Sequence, residues 1–135
     1  MNGLLVDVNL RREREVLLSL FLQPKRIELW QYLACIMPTF DEVGLADNSS
    51  DLIVWRKCQD RNLVLVTGNR NDKGKDSLES VLRTFNQPEN LPVLTISTPD
   101  RFLPDSDYKH RVADRILEYL FDIDRFRGVG RLYVP

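Results

Sequence analysis

The chain lacks most of what would commit it to a specialised class. It has a single histidine, His110, and two cysteines, Cys35 and Cys58, with no paired spacing between them. That excludes a Cys/His zinc module. Both cysteines lie within apolar helical patterns, so buried, reduced thiols of a reducing compartment are expected. No apolar run approaches the roughly 20 residues of a membrane span. The start, Met1-Asn2-Gly3, carries no positive charge ahead of an apolar stretch, so no secretory signal is read there and a soluble, cytoplasmic protein is expected. An excess of one charge is missing too, with 19 Lys and Arg against 20 Asp and Glu. The chain is therefore neither a polyanion nor a generic nucleic-acid-binding polycation, and any nucleic-acid contact has to come from a local patch. Repeats and low-complexity segments are absent.

Alternating apolar segments are what remains. At 135 residues with 43% hydrophobic residues, the chain suits one domain, residues 1–135, with a real core. Leu63-Val64-Leu65-Val66 is a continuous apolar run, too short for a helix and rich in branched residues, as expected of a strand covered on both faces. Similar runs predict strands near 4–8, 39–43 and 93–97, with a further tail strand near Arg131–Val134 made insecure by Gly128 and Gly130. Between them, apolar residues recur at helical spacing. Charged residues 11–15 read as the solvated first turns of one helix; Ile27, Trp30, Leu33, Ala34 and Met37 mark a second, stopped by Pro38. Trp55 and Cys58 lie on a third, opened by Asp51 and capped by Asn48 or Ser49. Leu78, Val81, Leu82 and Phe85 give a clean stripe, and residues 112–123 mark the longest helix, after a loop over 98–107. Strands alternating with helices predict an α/β three-layer sandwich: a mostly parallel sheet of four to five strands, right-handed crossovers, and helices on both faces.

In such sheets, sites gather beyond the carboxyl ends of the strands. Asp7 ends the first apolar run, where an unpaired carboxylate would be costly. Asp51 opens a crossover helix, a position the helix dipole favours without any metal. Thr67-Gly68-Asn69-Arg70-Asn71-Asp72 leaves the central strand. Carboxylates converging there suit Mg²⁺ or Mn²⁺, hard ions that take oxygen ligands, often one or two carboxylates completed by water and substrate phosphates. Arg11, Arg70 and Lys73 follow the first and central strands directly and are placed to hold a phosphate backbone. The stretch Gly68–Asp76 is not a phosphate-binding loop: five residues separate its glycines and Asp76 stands where Ser or Thr is required. His110 reads as a solvated helix residue, and Trp30 and Trp55 as core or interface.

Asp7-Val8-Asn9-Leu10 after the first strand, Ser50-Asp51-Leu52-Ile53 at a helix start, and Leu63–Thr67 followed by a polar loop together resemble the PIN-like nuclease domains, above all their short, toxin-like branch. The resemblance implies a small parallel α/β sandwich whose acidic cluster binds divalent metal and cleaves RNA. It implies Asp7 and Asp51 as the principal ligands, Asp72 as a displaced third, and Asn9 and Asn69 orienting ligands, water or the scissile phosphate. It also implies an antitoxin-like protein partner. The chain departs from the family where Thr, any residue, Asp, any residue, Asp is expected: here Asn69 and Asn71 replace both acids and Asp72 comes one position late. Amide oxygens still ligate hard cations but bring no charge. Asp72 or Asp100 is then expected to supply it. The alternative is a fold that no longer cleaves and serves as a protein or nucleic-acid interaction module, as a homodimer through its aromatic helices.

Overall fold

The apolar runs become the strands of one parallel sheet. In a computed structural model that describes residues 1–69 and 77–135, β1 (Gly3–Val6), β2 (Leu63–Gly68), β3 (Val93–Ile96) and β4 (Arg131–Val134) lie side by side in chain order, all parallel. The register pairs Val6 with Val66, Thr67 with Thr95, and Thr95 with Tyr133. Because successive strand side chains point to opposite faces, each strand feeds two cores. Leu4, Val6, Val64, Val66, Leu94, Ile96 and Val134 pack with helices α1 (Arg11–Phe21), α2 (Ile27–Leu33) and α6 (Ser106–Phe121). Leu5, Leu63, Leu65 and Val93 pack with α3 (Asp51–Arg61) and α4 (Leu78–Phe85). The result is the expected three-layer α/β arrangement, with Trp30 and Trp55 both buried in core. Among the described residues, no helix is long and apolar enough to cross a membrane.

The strand expected over 39–43 is absent. Thr39 N–H donates to Glu42 Oε1 at 3.0 Å and Glu42 N–H donates to Thr39 Oγ1 at 3.2 Å. This reciprocal capping box winds Asp41–Val43 into a 3₁₀ turn instead. The edge beside β1 is met earlier, at Ile36, whose N–H donates to Asn2 and whose carbonyl accepts from Leu4. Gly3 permits the approach, since a Cβ there would stand 2.0 Å from the Ile36 carbonyl oxygen. For the same reason α2 stops at Leu33, short of the predicted Pro38: Ala34 adopts a left-handed conformation, φ 53°, and turns the chain toward β1. Cys35 therefore lies outside any helix and is half-buried, its thiol pushed up to about 11 by burial; Cys58 is fully buried on α3 and pushed up to about 12.

Three further expectations are corrected. The cap of α3 is Ser50, which accepts from Ile53 N–H, and not Asn48 or Ser49. The loop over 98–107 contains a single helical turn, α5 (Pro99–Phe102), started by a proline at its first position and anchored by buried Phe102. The crossovers are not all of one hand. The strands step in one direction across the sheet, yet α4 covers one face and α6 the other, so β2–α4–β3 and β3–α6–β4 must have opposite hands. The long connection through α5 and α6 is what lets the last crossover cover the face that α4 leaves open.

Candidate functional site

The carboxyl ends of the strands form a polar row on the face shared with α3 and α4. The alternation that sends Leu5, Leu65 and Val93 into that core sends Asp7, Thr67, Thr95 and Tyr133 to the same side one pair further on. Asp7 still belongs to the ladder, donating its N–H to the Val66 carbonyl. Its carboxylate is held at both oxygens: Oδ2 accepts from Thr67 Oγ1 at 3.2 Å, and Oδ1 accepts from Asn9 N–H at 3.1 Å. The second bond also caps the 3₁₀ turn Val8–Leu10, so Asp7 has a structural role beside any chemical one.

A cleft of about 520 Å³ opens above this row, lined by Asp7, Thr67 and Tyr133, with Thr95 fully buried beneath. Asp7, Asn9, Asp51 and Asn69, all predicted site residues, line it together. Ser50 explains how Asp51 gets there: by capping α3 it fixes the helix start, and Asp51 occupies the first turn. Asn69 N–H donates to the Ile96 carbonyl, and its side-chain amide donates to the Ser97 carbonyl at 3.4 Å. Arg11 does not line the cleft itself; well exposed, it pairs at 2.5 Å with Asp47, which does, and shares an adjoining hollow with Asp7. Asp100 lines an adjoining hollow that shares Asn9 and Asn69 with the cleft, and it forms no three-acid group with Asp7 and Asp51. Asp72, Arg70 and Lys73 lie outside the described residues. His110, expected to be solvated, is half-buried: its Nδ1 stands 2.9 Å from Nη2 of buried Arg26.

Asp47, Glu79, Arg131 and Tyr133 also line the cleft and were not among the site candidates read from the sequence. Glu79 is in the first turn of α4, and Arg131 and Tyr133 sit two apart on β4, on one face of the strand. The alternation in Arg131-Leu132-Tyr133-Val134 was the available signal, masked by the glycines before it. Those glycines, φ 83° at Gly128 and 90° at Gly130, make the turn into β4 and do not interrupt it. Gly128 also passes against Pro88, where a Cβ would meet the carbonyl oxygen at 2.8 Å.

The donors facing the cleft are carboxylates, hydroxyls and amides, with no thiol or imidazole among the described lining residues. Such oxygen donors fit a hard cation of the Mg²⁺ type and not a soft one. They do not make a cage: among the described residues, no three His, Cys, Asp or Glu side chains stand close enough to hold a metal by themselves. The fit is thus to an ion held by one or two carboxylates and completed from outside the protein. Comparison with protein-family models, with curated proteins and with solved structures finds no match.

Proposed function

We propose that the chain is a divalent-cation-dependent ribonuclease of PIN-like type. One observation carries this reading: Asp7, at the carboxyl end of β1, has both carboxylate oxygens positioned by neighbours and faces the same cleft as Asp51. A carboxylate placed in that way is pre-oriented for a ligand, because its rotamer is fixed before anything binds. Asp7 and Asp51 would hold Mg²⁺ or Mn²⁺. When bound, the ion would stabilise charge on the phosphodiester and activate a water for attack. Thr67 fixes the rotamer of Asp7, and Asn9 holds its second oxygen and presents an amide at the cleft mouth. Asn69 lines the same cleft, and its amide would be within the reach of a bound phosphate or water.

The test is cleavage of a labelled RNA in Mn²⁺ or Mg²⁺, abolished by chelator and by Asp7→Asn or Asp51→Asn in proteins whose circular dichroism matches wild type. A second reading is favoured by a different observation, the lack of any three-membered ligand group among the described residues, together with Asn69 where an acid is expected. In that reading the same cleft binds without cleaving. Wild type that binds RNA but leaves it intact at millimolar Mn²⁺ would select it.

A further inference from the structure

The sheet guards one of its edges and leaves the other open. Beside β1, Ile36 bonds to Asn2 and Leu4 and closes the ladder. β4 has β3 on one side and, among the described residues, no strand on the other. Val93 N–H donates to the Gly130 carbonyl, and from that bond the alternation of a parallel ladder turns the backbone groups of Leu132 and Val134 toward β3 and those of Arg131 and Tyr133 outward. No described residue bonds to the outward groups. Natural edge strands are commonly guarded by a lysine, a proline or a bulge within the strand. Arg131-Leu132-Tyr133-Val134 has no lysine or proline, its register with β3 is unbroken, and the proline comes only afterwards, at Pro135. Arg131 does not stand out into solvent, its side chain being 16% exposed, whereas Tyr133 is 49% exposed.

We propose that this edge pairs with the same edge of a second copy, β4 against β4 in antiparallel sense, joining two four-stranded sheets into one. The edge is its own complement. A two-fold axis at Leu132 sets Arg131 of each copy opposite Tyr133 of the other, so the outward N–H and C=O groups meet in two hydrogen-bonded pairs that share four N–H···O bonds. Opposed residues share a face, so each guanidinium lies beside a phenol ring of the other copy, a favourable pairing of cation and ring. The neighbouring registers are worse. An axis at Arg131 would set two cations against each other, and one at Tyr133 would set Arg131 against Pro135, which has no N–H to give. Parallel pairing would leave a free edge for further copies, while the antiparallel pair closes on itself. Because Arg131 and Tyr133 also line the cleft, the pairing would fix its β4 wall, whatever the cleft binds.

The experiment follows the mass of the full chain by sedimentation velocity from low micromolar to near-millimolar concentration. Wild type should pass from one chain mass to two. Tyr133→Pro removes an outward N–H that β3 does not use, a change an edge strand tolerates; it deletes two of the four bonds and should raise the half-association concentration about tenfold or more. Tyr133→Lys sets a second cation against Arg131, should weaken association likewise, and decides the matter if the proline variant does not fold. Leu132→Cys in a Cys35→Ser background should give a disulfide-linked dimer on mild oxidation, because Cα atoms facing each other across the axis would stand about 4.5 Å apart, within disulfide range. Val129→Cys should not. A wild type that stays monomeric throughout overturns the proposal, as does a dimer that keeps its affinity in both Tyr133 variants, and no link at Leu132 overturns the register. A dimer that ignores those variants and is lost on Tyr32→Ala would lie on the aromatic helices instead.

Discussion

Asp114→Ala should be among the most damaging single changes outside the cleft. Arg26, which precedes α2, is buried with its side chain only 2% exposed. Three partners satisfy its guanidinium: Asp114 Oδ1 on α6 at 2.7 Å, His110 Nδ1 at 2.9 Å and Gln23 Oε1 at 3.3 Å. Removing one member of a buried ion pair costs about 3–5 kcal/mol, because the other charge is left uncompensated. Asp114 is 43% exposed, so water screens part of that attraction and the expected loss falls to about 2–3 kcal/mol. Arg26→Met removes the buried charge itself, leaves Asp114 free to hydrate, and should cost less than about 1 kcal/mol. The double variant should then be more stable than Asp114→Ala alone. Urea unfolding with unchanged m-values measures all three. The hydrogen bond from Arg26, with its charge, holds the Asp114 carboxyl below the usual carboxylate range. Its contribution is therefore present above the pKa of the unfolded chain and lost as pH falls through the lower, folded value, so the gap between wild type and Asp114→Ala should close in acid. An Asp114→Ala loss no larger than that of Arg26→Met would refute the argument from buried charge.

Three further outcomes are expected. Mn²⁺ at a hundredfold excess over its Kd should stabilise the fold by about 2.7 kcal/mol, read by thermal or urea unfolding. Asp7→Asn and Asp51→Asn should each remove that gain, while Asp60→Asn, exposed and away from the cleft, should keep it. A thiol reagent should modify half-buried Cys35 in the native protein and reach Cys58, 1% exposed, only on unfolding; equal rates in mass spectrometry would contradict the burial. Asp105→Ala should lower the melting temperature, since Asp105 caps α6 by accepting from Tyr108 N–H and also binds Arg101. Those bonds, Arg101 first, lower the Asp105 pKa, so this loss too should be present at neutral pH and fade as pH falls through the folded value.

The strands that are buried on both faces were legible because burial leaves a plain chemical trace: Leu4 to Val6, Leu63 to Val66 and Val93 to Ile96 are nearly all apolar and branched. Asp7 and Asp51 were legible for the complementary reason, each a carboxylate at the end of an apolar element. The strand expected over 39–43 failed because Phe40 and Val43 satisfy a strand pattern and a capped turn alike, and the Thr39–Glu42 bonds decide between them. Ile36 could not have been found as the edge contact, since it depends on Ala34 entering a conformation that alanine seldom adopts. Arg131 and Tyr133 were hidden because their place in the cleft follows from β4 joining the sheet beside β3, a pairing between residues far apart in sequence.

The two cores are unequal, and the cleft sits over the smaller. Among the described residues, 21 buried side chains form the core under α1, α2 and α6, against 13 under α3 and α4. Amide hydrogen exchange should therefore divide the molecule: α6 and the fully buried β2 protected up to global unfolding, and the eight-residue α4 opening earlier, in a partial unfolding that leaves the larger core intact. Such an opening would take Glu79 and Leu78 off the cleft wall without moving Asp7, which is bonded into the sheet. A ligand that bridges the polar row to the α4 side would close that route, so its binding should slow exchange along α4 by the same factor by which it stabilises the whole protein.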